Sequence, residues 1–228
     1  MKKLLNYFTK FEIILWSTSV LLIVIPFLLF KQNDYLTLLA SIIGATFLIF
    51  NAKGNPIGQF LTIIFSLLYG IISYRFSYYG EMITYLCMTM PMAFFALVSW
   101  LKNPYKNNKS QVKVNRLEIK EIIFMVLLTL VVTVVFYFIL KYFNTANLIP
   151  STLSVTTSFL AVYLTFRRSP YFALAYALND IVLIVLWVLA SLTDSSYISV
   201  VICFIVFLVN DLYGFINWKR MEKTQKEN

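Results

Sequence analysis

Residues 209–220 read Val-Asn-Asp-Leu-Tyr-Gly-Phe-Ile-Asn-Trp-Lys-Arg and set an amide beside a carboxylate, Asn210 and Asp211, at the end of an apolar run. One segment earlier Asn179 and Asp180 repeat the pair inside another apolar run. An ionised Asp at the centre of a membrane helix costs about 2.5 to 3.5 kcal/mol on insertion scales, so such residues face a bundle interior or a wet cavity. The rest of the chain decides that hydrocarbon is its solvent.

The 228 residues are 60% hydrophobic and 13% charged, with mean hydropathy +0.79. Soluble domains hold about 45–50% apolar and about 25% charged residues. At about 20 residues per bilayer span there is room for eight spans and little else. The chain contains no histidine, which removes His-based acid–base catalysis and most zinc sites. Cys87 and Cys203 stand alone in apolar runs without metal-ligand spacing and read as small buried hydrophobes. No metal, cofactor or enzymatic reaction is expected.

The apolar runs and their punctuation predict eight transmembrane helices. Residues 13–30 form a span too long for a signal-peptide core and without a cleavage site, so a retained first helix is expected. A polar turn at 31–34 leads to spans at 35–50 and 56–74, the latter opened by Pro56. A polar corner at 75–81 precedes the span 82–101, where Pro91 predicts a kink and Met88, Met90 and Met92 predict gap-filling packing. The lysine- and asparagine-rich stretch 102–121 reads as a linker, followed by a lipid-facing span at 122–142. Spans ending at Phe166, running over 170–191 and over 197–218 complete the set, and 219–228 is expected to be a charged, frayed tail.

Sixteen of the nineteen basic residues fall on one side of this arrangement, and Lys31, Arg75 and Lys141 on the other. The positive-inside rule then predicts a multi-pass protein of the plasma membrane with both termini cytoplasmic. The net charge of +9 is thereby explained by topology, and a nucleic-acid partner is not expected. Placing Pro56 over Pro170, an offset of 114, aligns Phe50-Asn-Ala-Lys-Gly-Asn-Pro with Leu164-Thr-Phe-Arg-Arg-Ser-Pro. The punctuation repeats, so the spans divide into two parallel three-helix units, at 35–101 and 151–218. An extra N-terminal helix at 1–34, a linker with its linker helix at 102–150 and the tail at 219–228 complete the organisation. Parallel repeats are a transporter plan with the substrate near the midplane.

Of the ten acidic residues, only Asp180 and Asp211 are barred from an interface by their position. Asn179 and Asn210 lie at similar depth from the basic side, so the two pairs share a layer. On the seventh helix Tyr176, Asn179 or Asp180 and Trp187 share a face, and on the eighth Asn210 and Tyr213. Gln59 and Tyr85 are the polar candidates of the first half, with Glu81 a weaker one. A flat, polar heteroaromatic ligand fits such a face: rings stack, amides bind edges, carboxylates bind hydroxyls. Trp100, Trp218 and Tyr142, at span ends, are expected to be interface anchors, and Gly44, Gly70 and Gly214 to permit close helix approach.

The eight spans, the repeated three-helix units and the ending Asn-Asp-Leu-Tyr-Gly-Phe-Ile-Asn-Trp-Lys-Arg together resemble the PnuC family of vitamin transporters, over about residues 35–220. The resemblance implies a SWEET-like fold and import of nicotinamide riboside by facilitated diffusion, with a cytoplasmic nicotinamide riboside kinase trapping the product for NAD biosynthesis. Asn179, Asn210 and Tyr213 match polar and aromatic cavity positions of that family, and Tyr85 falls where some members carry a glutamine. Members also carry a Trp about one turn before the seventh-helix Asn, where this chain has Ala175-Tyr176. Relatives in the same fold look like thiamine or riboflavin carriers, and Asp180 and Asp211 suit a proton-coupled transporter, so these stand as alternatives. A homo-oligomer is compatible with the family.

Overall fold

The apolar runs fold as membrane-length helices in the computed structural model, which describes residues 7–29, 35–75, 79–106, 108–145, 147–192 and 197–227. Among these residues eight helices are long and apolar enough to cross a membrane: α1 Lys10–Leu29, α2 Tyr35–Ala52, α3 Pro56–Arg75, α4 Tyr79–Lys102, α5 Ile119–Tyr142, α6 Leu148–Phe166, α7 Tyr171–Ser191 and α8 Ile198–Glu227. The first six residues, the expected turn at 31–34, residues 76–78 of the polar corner and Asp194 lie outside the described residues.

Helices α2–α4 form one bundle and α6–α8 the other, and they meet reciprocally, α2 against α8 and α4 against α6. Helix α5 packs on α6 and leaves most of its Val, Leu and Phe side chains exposed, as a lipid-facing connector should. Helix α1 lies against α2 and α8.

The repeat is legible at single hydrogen bonds. In the α2–α3 corner Gly54 N donates to Asn51 O at 2.9 Å, Asn55 N to Phe50 O at 3.0 Å and Gly58 N to Asn55 O at 2.9 Å. In the α6–α7 corner Arg168 N donates to Thr165 O, Ser169 N to Leu164 O and Phe172 N to Ser169 O, at 3.0, 3.0 and 3.1 Å. Every partner is displaced by 114 residues. Gly54 and Arg168 both adopt positive φ, 65° and 55°, to end their helices.

Helix α4 contains a π-helical turn at Thr84–Thr89, closed by Met90 N donating to Tyr85 O. Pro91 has no N–H for the carbonyl of residue 87 and its ring crowds that group; the wide turn before it absorbs both faults. The kink expected at Pro91 is therefore a π turn. It leaves Cys87 exposed, in contrast to the buried position expected, while Cys203 is buried.

The stretch after α4 is more than a linker. Pro104–Tyr105 (β1) pairs antiparallel with Asn108–Val112 (β2), and the chain then runs across the basic face. Val112 N donates to Gly54 O at 2.9 Å and Asn115 N to Arg168 O at 3.0 Å, so the strap binds the equivalent carbonyl of each corner. The tail is not frayed: α8 continues to Glu227, because Gln225 bonds Val114 N and Val112 O, and Glu222 bonds Arg116.

Candidate transport site

Three adjoining cavities lead into the molecule from the face opposite the basic one. The outermost, of about 230 Å³, is lined by Tyr79, Glu81, Phe143, Thr145, Ser151 and Trp187, among others. A throat of about 30 Å³ shares Gly80, Glu81, Thr145, Ser151 and Leu186 with it. The throat shares Tyr85, Ser158 and Leu183 with a central cavity of about 50 Å³.

The central cavity lies between the bundles, with Thr62, Phe65, Tyr85 and Thr89 from the first and Ser158, Tyr176, Asn179, Asp180, Leu183, Phe204, Phe207 and Asp211 from the second. The hydroxyls of Ser154, Thr157 and Ser158 surround Asn179 Oδ1 at 3.2, 2.8 and 3.1 Å. With its carbonyl committed to α6, the amide NH2 is what Asn179 has left for the cavity. Asp180 and Asp211 lie within hydrogen-bonding reach of each other, and Asp180 Oδ2 is buried without a partner. Phe47, Phe65, Phe204 and Phe207 make the apolar wall, with ring centroids 5.2 to 6.4 Å apart. Phe207 lies directly over Gly44, where an added Cβ would have to displace its ring; at Gly214 the nearest atoms are at ordinary distance and the glycine is not required for clearance.

Of the residues singled out in the sequence, the structure brings Tyr85, Tyr176, Asn179, Asp180 and Asp211 to this cavity. Trp187 lines the outer cavity instead. Gln59, Asn210 and Tyr213 face elsewhere. Gln59 Nε2 donates to Asn51 Oδ1 at 2.8 Å inside the α2–α3 corner. Asn210 Nδ2 donates to Ser19 Oγ at 2.9 Å and the Tyr213 hydroxyl to Glu12 Oε1 at 2.8 Å, so both attach α8 to α1. The reason is Glu12, buried where helix α1 crosses the seam. It closes a capping box with Thr9 and pairs with Lys53 at 3.0 Å, and so draws α8 residues outward. The contributors missed from sequence are the hydroxyls of Ser154, Thr157 and Ser158 around Asn179; with Ser151 of the throat, Ser154 and Ser158 recur at i, i+3 and i+7 on α6, a period that marks one face.

The basic face is closed. Trp218 Nε1 donates to Asn51 O at 2.8 Å and Trp100 Nε1 to Thr165 O at 2.9 Å, each tryptophan reaching the equivalent residue of the other bundle. Their rings pack 5.4 Å apart and both are fully buried. They are bundle-to-bundle ties rather than interface anchors, because the helix ends converge on this face; Tyr142, 81% exposed, keeps an anchor's position.

A polar site between two parallel three-helix repeats, reached from one side and shut on the other, defines a membrane transporter and not an enzyme. The chain belongs to the nicotinamide mononucleotide transporter family, whose model matches residues 34–220. It is 26% identical over 227 residues to the nicotinamide riboside transporter PnuC of Neisseria mucosa, covering 97% of this chain and 86% of that one. The Haemophilus influenzae nicotinamide riboside transporter PnuC is 23% identical over 193 residues, 84% and 82% of the two chains. The crystal structure of the vitamin B3 transporter PnuC superimposes with a TM-score of 0.83 at 24% identity, over 96% of this chain and 94% of that one.

Proposed function

We propose that this protein imports nicotinamide riboside across the plasma membrane, with both termini cytoplasmic, the substrate binding between the bundles at Asn179, Asp180 and Asp211. The observation that carries this reading is the acidic lining of the site: two carboxyl groups line the central cavity, and among the described residues no Lys or Arg lines any of the three cavities. A carboxyl pair within hydrogen-bonding reach that shares one proton keeps one negative charge. That charge matches the N-alkylpyridinium cation of the riboside and repels the phosphate of the mononucleotide. The relatives' riboside fits this cavity better than the mononucleotide of the family's description. Riboflavin is neutral and has no ring charge for the carboxyls to pair; thiamine, also a cation, is the rival that the charge allows.

Tyr85 and Tyr176 offer ring faces, and the Asn179 amide offers a donor to a hydroxyl or carboxamide oxygen. The central cavity is smaller than the roughly 300 Å³ at which ligand pockets begin, so the phenylalanine wall has to part for a riboside to enter. Transport then alternates this state, closed by the tryptophans on the cytoplasmic side, with one in which the bundles separate there. Such a carrier only equilibrates its substrate, and net accumulation requires a cytoplasmic kinase to add a phosphate that the acidic cavity rejects on the way back.

Calorimetry of the purified protein with nicotinamide riboside, nicotinamide mononucleotide, thiamine and riboflavin tests the assignment. The riboside is expected to bind and the mononucleotide not; binding of thiamine alone would sink it. The adjacent carboxyls of Asp180 and Asp211 also favour a second reading, proton-coupled uptake, since such a pair can take up and release a proton. Proteoliposome uptake with and without a pH gradient separates the two, facilitated diffusion requiring the same initial rate in both.

A further inference from the structure

The outer cavity contains chemistry that the central site does not use. Glu81 lines both this cavity and the throat beneath it. Its carboxyl takes a hydrogen bond from Tyr69, while Oε2 is buried without a partner. Among the described residues no Lys or Arg forms an ion pair with it. Thr145 Oγ1, which lines the same two cavities and lies beside Gly80, is likewise buried without a partner. Two orphaned polar atoms at one constriction are what a ligand passing through would satisfy, since a buried acceptor left unpaired is costly. Around them stand the faces of Tyr79, Phe143 and Trp187, and aromatic faces attract a cation. At about 230 Å³ this is also the roomiest of the three cavities.

We propose that the outer cavity is a first-contact subsite for a cationic heteroaromatic ring, in which the Glu81 carboxylate is the counter-charge and a determinant of substrate charge. The subsite rests on the reading of this protein as a carrier of nicotinamide riboside. The pyridinium ring settles among the aromatic faces with its charge toward Glu81, and the Thr145 hydroxyl meets a polar substituent. From there the cation passes through the throat, where Tyr85 is shared with the central cavity, to the carboxyls of Asp180 and Asp211. Acidic groups at both ends of the throat keep the ring charge compensated along the path. The π turn of α4 sets this geometry, since it lies between Glu81 and the rest of that helix.

The test compares initial uptake of the riboside with uptake of its 1,4-dihydro form, which has the same sugar and carboxamide without the ring charge. In Glu81→Gln the KM for the cation is expected to rise about ten-fold, the scale of a lost charge-assisted contact, while that for the neutral form stays within about two-fold. Glu81→Asp, which keeps the charge, is expected to recover most of the cation's affinity. Ser151→Lys places a positive charge in the same cavity without altering Glu81, and is expected to raise the KM of the cation alone. If both KM values stay within two-fold in Glu81→Gln, or rise together in either variant, the subsite proposal is overturned while the riboside reading stands. A wild type that takes up neither form overturns both.

Discussion

Asp180 shows what a carrier gives up in stability to hold a carboxyl group in its interior. One of its oxygens lies buried with no partner, a position that costs free energy unless a ligand or a proton occupies it. Asp180→Asn keeps the shape and replaces the carboxyl group by an amide that cannot ionise. Riboside binding by calorimetry is expected to weaken about ten- to hundred-fold, the size of a charge-assisted contact, while thermal stability holds or rises; unchanged affinity would take Asp180 out of the site. Gln59 behaves in the opposite way. Its side chain is spent on Asn51 in the α2–α3 corner, well packed and away from the cavity. Gln59→Ala strands the Asn51 side-chain oxygen Oδ1 and should cost about 1–3 kcal/mol of stability, with riboside affinity unaffected. A loss of affinity at full stability would return Gln59 to the substrate.

Helix α4 is the element whose irregularity positions side chains. A proline inside an α-helix disrupts it by about 3 kcal/mol, and here the preceding turn widens to i+5 bonding instead. One residue of register is about 100° of rotation about the helix axis, so the π turn decides which way Glu81 and Tyr85 face relative to Met90–Lys102. Pro91→Ala restores the missing donor and lets the helix return to α geometry. Thermal stability is expected to hold or increase while uptake falls several-fold; a variant with normal uptake would make the turn incidental. The proline was readable in the sequence as a kink, but not the form of the kink. That depends on whether the neighbouring turn can widen against α3 and α6, which only packing shows. The charged end of α8 departs from the frayed tail expected of its sequence for a similar reason. Its glutamate and glutamine look solvated until the strap of residues 112–116 supplies the partners.

At the scale of the whole molecule, span count and the two-bundle division were legible because hydropathy and prolines are local signals with a fixed physical meaning in a bilayer. The offset of 114 between Pro56 and Pro170 extended to the hydrogen bonds of both corners, since identical backbone geometry needs little identity of side chain. The polar lining of the central cavity was legible for a different reason: Asn179, Asp180 and Asp211 are expensive in hydrocarbon wherever the helices turn. Asn210 and Tyr213 misled because a one-residue step on α8 separates the face toward Asp180 from the face toward α1, and Glu12, 201 residues before Tyr213, claims the second. The tryptophans are the clearest product of the repeat. Each donates one hydrogen bond to the other bundle, so separation of the bundles on the basic face must break both. Trp100→Phe and Trp218→Phe each remove one such bond, worth about 1 kcal/mol, and retain most of the packing. Each should therefore favour the state open to the basic face about five-fold, by nearly the same amount because the two ties are equivalent. Labelling of a cysteine placed at Thr62, in a chain freed of Cys87 and Cys203, reads this directly. A reagent added from the basic side should react several-fold faster in either variant and faster still in the double variant. Equal rates in all four proteins would mean that the opening does not pass between the tryptophans.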